Sequence, residues 1–168
     1  VPSGVKKIRN YAFAGYHCVF SEDGAVYFNG GNEYLENVTL PDSVNEIGSQ
    51  AFYLCQKLKS VNIGSGVKKI ALDSFLACDN LNSINVSENN KTYSSKNGVL
   101  FNKNKTSLLN YPLGKTDSSY SVPDTVQIIE ANAFGGYGSP MEEDSYIYDK
   151  YYGGNFSLKS IIIPDSVT

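Results

Sequence analysis

The single histidine of the chain, His17, stands beside Cys18, and the pair has the composition of a nucleophile with its base. Cysteine–histidine catalysis needs the imidazole within hydrogen-bond reach of the sulfur. Neighbours on an extended segment project to opposite sides, so these two cannot readily share a proton. Glu142, Glu143 and Asp144 form the one acidic cluster. Glycoside hydrolysis asks for two separated carboxylates facing each other across a cleft, which consecutive loop residues do not supply. Oxygen ligands suit calcium, but the EF-hand spacing with its glycine is missing. The expectation is therefore a chain with no catalytic residues, no metal ligands and no cofactor.

Composition narrows the classes further. The 168 residues are 41% apolar and 18% charged, enough for one domain with a core. No run approaches the roughly 18 apolar residues of a membrane span, so no membrane insertion by this segment is expected. Net charge is −3 with the lysines scattered, which argues against nucleic acid as a partner. Three cysteines are too few, and odd in number, for a disulfide framework.

The elements that would position any site come from self-similarity. Asp42 to Ile63 superposes on Ser65 to Val86 at a constant offset of 23 residues. Val44 then matches Val67, Ile47 matches Ile70, Phe52 matches Phe75 and Cys55 matches Cys78. Leu58 matches Leu81, Val61 matches Ile84 and Ile63 matches Val86. Two interrupted copies flank these, one through Val5, Ile8, Phe13, Leu35, Val38 and Leu40, the other through Val126, Ile129, Phe134, Leu158, Ile161 and Ile163. Their Pro2–Pro41 and Pro123–Pro164 spacings of 39 and 41 leave insertions of 16 and 18 residues beyond one coil, both just after the aromatic turn. Leu58, Val61 and Ile63 read as a turn feeding a short strand with alternate side chains inward. Ala51, Phe52 and Cys55 have one-turn helical spacing and predict a short helical segment. One such coil cannot close a core; stacked coils can. Cys55 and Cys78 share a core position, and buried free thiols are favoured over a coil-to-coil disulfide.

The Leu-x-x-Val-x-Ile pattern, the Pro-Asp-Ser-Val turn and the Ala-Phe pair before Cys resemble the BspA-like, treponemal-type leucine-rich repeats of bacterial surface proteins. The resemblance implies an α/β leucine-rich-repeat solenoid, horseshoe-like, with short parallel strands on one face and short helical turns or loops on the other. It also implies an extracellular or cell-surface location. Ser43 and Gly66 stand where the commoner consensus has Asn or Cys, so no buried asparagine ladder is expected.

At Ser87 to Val122 the period fails. Gly98 to Phe101 and Leu108 to Tyr111 flank a polar run and predict an inserted β-hairpin. A strand near Ser119 to Val122, or Leu108 to Asn110, is expected to carry the sheet across this gap. The chain is read as a single domain over 1–168, with 87–122 as the hairpin interruption and 17–33 and 138–155 as loop insertions. Both ends break off in mid-pattern, so it is expected to be part of a longer array.

The insertions hold the charge. Residues 17–33 carry Glu22, Asp23 and Glu33; residues 138–155 carry Glu142, Glu143, Asp144 and Asp149 against Lys150. Each sums to −3, leaving +3 for the rest. Tyr27 and Phe28 in the first, and Tyr146, Tyr148, Tyr151 and Tyr152 in the second, precede a shared Gly-Gly-Asn ending. Tyrosine offers rigid area with a polar tip, so these residues are candidate binding residues. If the interruption fills one coil, strands stacking at about 4.8 Å put the two loops four steps, on the order of 20 Å, apart on one side. The strand face, including Asn62 and Asn85, is a second candidate, flat and polar. The expected role is a non-catalytic binding or adhesion module for an unidentified protein ligand. The alternatives are a glycan-binding module or a structural spacer.

Overall fold

The computed structural model describes residues 1–14, 32–135 and 154–168 in full, together with the backbone of 17–20 and 26–29. Two parallel ladders run through the first three coils. One joins β4 (Asn37–Leu40), β6 (Ser60–Ile63) and β8 (Ser83–Val86), with Val38, Val61 and Ile84 in one row and Leu40, Ile63 and Val86 in the next. The other joins the two-residue strands β1 (Lys7–Ile8), β5 (Glu46–Ile47) and β7 (Lys69–Ile70). Alternation along each strand turns one set of side chains inward, where Val61, Ile84 and Ile47 are wholly buried. The turns between the ladders, Pro41-Asp42 in one coil and Gly64-Ser65 in the next, pack closely enough that a Cβ on Gly66 would land on the Asp42 carbonyl oxygen.

The helical segment expected at Ala51 to Cys55 is not formed, and no helix occurs among the described residues. Backbone groups that a helix would pair internally are used between coils instead. The Phe52 N–H donates to the Ser74 carbonyl at 2.9 Å and the Leu54 N–H to that of Leu76 at 3.2 Å. Gln50, Leu54 and Ala77 take left-handed conformations that bend the chain through this corner. The resulting turns stack Phe13 on Phe52 at 5.0 Å and Phe52 on Phe75 at 5.4 Å, almost coplanar.

The interruption is a three-stranded antiparallel unit, β9 (Tyr93–Lys96), β10 (Val99–Asn102) and β11 (Ser107–Asn110). The β10–β11 hairpin is the expected one. The β9–β10 hairpin turns on Asn97-Gly98, both at positive φ, as a two-residue hairpin loop requires. Beyond it, β11 pairs in parallel with β13 (Ile128–Ile129), and β12 (Ser119–Ser121) with β14 (Ser160–Ile162). The strand-face sheet is therefore not carried across the gap. The edge of β8 is met by the Gly98 carbonyl, which accepts from the Ile84 N–H at 2.9 Å, and by the Ser95 hydroxyl, which accepts from the Val86 N–H.

The hairpin is buried on both faces. Leu100 and Leu109 join the core of the first three coils, whereas Val99, Phe101 and Leu108 join a second core with Tyr111, Val122 and Val126. Tyr111 continues the aromatic column, stacking on Phe134 at 5.3 Å, and its N–H donates to the Ala133 carbonyl as that of Phe52 does to Ser74. Within the first insertion, β2 (His17–Phe20) and β3 (Val26–Asn29) pair as an antiparallel hairpin.

Candidate functional site

The insertions leave and rejoin the solenoid at one repeat position. Each departs just after a column aromatic, Phe13 or Phe134, and returns at an asparagine three residues before a partly buried leucine, Asn32 before Leu35 and Asn155 before Leu158. Counting back from Leu58 and Leu81 puts Cys55 and Cys78 at that same position. The Sγ–H of Cys78 donates to the Phe52 carbonyl at 3.1 Å, and that of Cys55 to Phe13 at 3.5 Å. Both thiols are free and buried, and burial pushes their pKa up.

Asparagine does more at this position than cysteine can. The Asn155 amide donates to the carbonyls of Pro112 (3.2 Å) and Lys115 (2.8 Å) in the preceding coil. Its Oδ1 accepts from the N–H groups of Ser157 and Leu158, both at 2.9 Å. Asn32 Oδ1 accepts from the Tyr34 N–H at 3.0 Å. Each returning strand is thus fixed by a short turn built on the asparagine side chain, and an antiparallel bridge between Gly135 and Gly154 closes the neck of the second insertion. The shared Gly-Gly-Asn ending was the signal for this, once aligned backward from the leucines.

The loop under Asn155 is itself anchored. Lys115 Nζ donates to the Asn97 carbonyl at 3.1 Å and pairs with Asp117 at 3.2 Å. The Tyr111 hydroxyl donates to the same carboxylate at 3.1 Å. Asp117 stands where other coils have leucine and Tyr111 where they have phenylalanine, so the two polar changes satisfy one another. Lys115, and then Tyr111, hold the Asp117 carboxyl below its usual range. Tyr111 is itself pushed well up, first by burial and then by its bond to Asp117.

Of the expected binding residues, Asn62 and Asn85 lie exposed on the strand face, in register. The Asn85 amide donates to Asn62 Oδ1 at 3.2 Å and the Asn62 amide to Thr39 Oγ1 at 3.5 Å, so this row is a ladder of side chains along the solenoid. Ser60 donates to Asn37 Oδ1 beside it. Tyr27 and Phe28 fall in β3, opposite Val19 and Cys18, with only their backbone described. Tyr146, Tyr148, Tyr151 and Tyr152 lie outside the described residues, as does the Glu142–Asp144 cluster. His17 and Cys18 are consecutive on β2, with only their backbone described. No group of three or more potential metal ligands occurs among the described residues. No helix among them is long and apolar enough to cross a membrane.

Stacked coils with in-register parallel strands and a column of aromatic turns define a leucine-rich-repeat solenoid. The model of the BspA-type leucine-rich repeat region matches residues 24–136 in six copies, well over half the chain, and the chain belongs to that family. Among solved structures, it is similar to a leucine-rich repeat protein from Eubacterium ventriosum, with 35% identity and a TM-score of 0.65 over 80% of this chain. The pneumococcal vaccine antigen PcpA matches 98% of it at 25% identity and a TM-score of 0.60. A leucine-rich cell surface protein from Faecalibacterium prausnitzii, 22% identical with a TM-score of 0.53, shares the fold. The chain spans 31% and 44% of the first two of these. No curated protein matches it.

Proposed function

We propose that the chain is a non-catalytic binding and adhesion module of a bacterial surface or secreted protein, and that its two insertions form a recognition face for a protein ligand. The observation that carries this is the common attachment of both insertions, bracketed by Phe13 and Asn32 and by Phe134 and Asn155. Segments leaving a solenoid at one repeat position emerge on one flank, and here both segments are acidic and rich in aromatic residues. One similar solved protein is a cell surface protein and another a vaccine antigen, which supports the location. Acidic segments favour a partner with a basic patch and make capture sensitive to salt.

The test is capture on arrays of extracellular-matrix proteins and of glycans. Tyr148→Ser with Tyr151→Ser is expected to weaken capture of a protein by about tenfold, the equivalent of 1.4 kcal/mol, with an unchanged circular dichroism spectrum. Capture should also fall between low and physiological salt. Loss of folding in the double variant would instead make the tyrosines packing residues. The Thr39–Asn62–Asn85 ladder favours one other reading, a glycan lying along the strand face. Hits on the glycan array that are lost in Asn62→Ala and kept in the loop variant would favour it.

A further inference from the structure

Cations that lie far apart in the sequence are gathered on one flank by the ladder of β1, β5 and β7. Its register sets Lys7, Glu46 and Lys69 in one row and Ile8, Ile47 and Ile70 in the next. The row before is Lys6, Asn45 and Lys68, tied by the Asn45 N–H donating to the Lys6 carbonyl and the Lys68 N–H to that of Asn45. Residues 6–9, 45–48 and 68–71 hold five cations, Lys6, Lys7, Arg9, Lys68 and Lys69, against one carboxylate, Glu46, a sum of +4 in a chain of −3. Glu46 bridges Lys7 and Lys69, which fixes two ammonium groups across the coil between them. Lys6, Arg9 and Lys68 are exposed, and among the described residues none of them has a carboxylate partner. Asp42 and Asp73, just before and just after these segments, are engaged by Ser65 and Ser49. Lys91 extends the flank, since it follows Asn90, whose amide donates to the Val67 carbonyl beside Lys68. At the first coil Lys7, Arg9 and Asn10 line a cleft of about 340 Å³ with Ile8, Glu46 and Gly48. A side chain at position 48 would strike Asn10 in the wall of that cleft.

We infer that this flank binds a linear sulfated polysaccharide, laid along the solenoid with its sulfates on the lysine rows. The site is separate from the insertions and from the strand face. Charge complementarity calls for a polyanion, and the spacing selects which one. The pairs Lys6–Lys7 and Lys68–Lys69 stand two coils apart, on the order of 10 Å. An extended acidic peptide presents carboxylates on one face every second residue, roughly 7 Å, and falls out of step with them. Two pyranose rings of an extended polysaccharide match the two-coil step, so one sulfated disaccharide meets each pair. These segments hold no aromatic side chain on which a nucleic acid base could stack. Their isoleucines are buried in the core, which leaves no apolar area for a lipid surface.

The experiment is fluorescence anisotropy of the full chain with a labelled heparin oligosaccharide. The same oligosaccharide stripped of sulfate, and a polyglutamate peptide of equal charge, are run beside it. The sulfated probe should bind most tightly. Lys6→Gln with Lys68→Gln, which leaves the bridges of Glu46 in place, should weaken that binding by about tenfold and flatten its dependence on salt. The melting temperature should stay unchanged, and Lys6→Arg with Lys68→Arg should retain binding. Lys57→Gln with Lys159→Gln removes the same charge from exposed positions off this flank and should have no effect. Asn62→Ala, on the strand face, should have none either. An equal loss in the Lys57 and Lys159 pair would overturn the inference in favour of net charge, and a loss in Asn62→Ala would move the glycan to the strand face. Equal binding of polyglutamate or of the desulfated probe, or no binding of the sulfated one, would also overturn it.

Discussion

Asn90 and Tyr93 close the first three coils with side chains where another coil would use its backbone. The buried Asn90 amide donates to the carbonyls of Gly64 and Val67, each at 3.0 Å, and its Oδ1 accepts from the N–H groups of Thr92 and Tyr93. The Tyr93 hydroxyl accepts from the Ile70 N–H at 3.0 Å. Tyr93→Phe would strand that donor in the core, which costs about 1–3 kcal/mol. Urea denaturation should report the loss, and hydrogen exchange at the Ile70 amide should quicken; an unchanged midpoint would mean that another acceptor serves. Both residues keep the 23-residue register, Asn90 with Val67 and Tyr93 with Ile70. A search for matching apolar positions passes over them because they substitute hydrogen bonding for burial. The buried cysteines, by contrast, were legible, since a small apolar side chain at a repeated position has one natural place.

At the scale of elements, the β10–β11 hairpin belongs to two cores at once. Neighbouring residues of a strand face opposite ways, so Leu100 packs with the first coils and Phe101 with the last. Leu100→Ala and Phe101→Ala should each cost a few kcal/mol, about 2–5 and 3–5 respectively. Their signatures should differ in hydrogen exchange, the first loosening amides up to Val86 and the second those from Tyr111 onward. Identical patterns would show one undivided cooperative unit. The hairpin itself was legible from its apolar runs and polar turn. Its double burial was not, because period-two alternation reads the same whether one face or both are covered. The expected helix failed for a related reason: Ala51, Phe52 and Cys55 face inward at helical spacing, but the Phe52 and Leu54 N–H groups are claimed by the next coil.

Across the whole molecule, carboxylates tie coil to coil. Glu46 bridges Lys7 at 2.6 Å and Lys69 at 3.5 Å, and Asp42 accepts from the Ser65 N–H. Lys7 chiefly, with Lys69 adding, holds the Glu46 carboxyl below its usual range, as the Ser65 N–H does for Asp42. A carboxyl depressed in the folded state stabilises above its unfolded pKa and loses that contribution as pH falls through the folded value. The melting temperature should therefore drop below about pH 4, and Glu46→Gln should flatten the drop; the same slope in the variant would remove Glu46 from the account. Asp79, raised by burial, works in the opposite sense. The stacking also sets how freely the molecule can be elaborated. Joining equivalent points of successive coils closes a loop of 23 residues, or of 39 and 41 where an insertion intervenes. Closure entropy grows only with the logarithm of length, so the longer loops cost about 0.5 kcal/mol more, less than one buried methylene returns. Evolution could therefore try new display segments at this corner with scarcely any thermodynamic resistance, while the core beneath stays untouched.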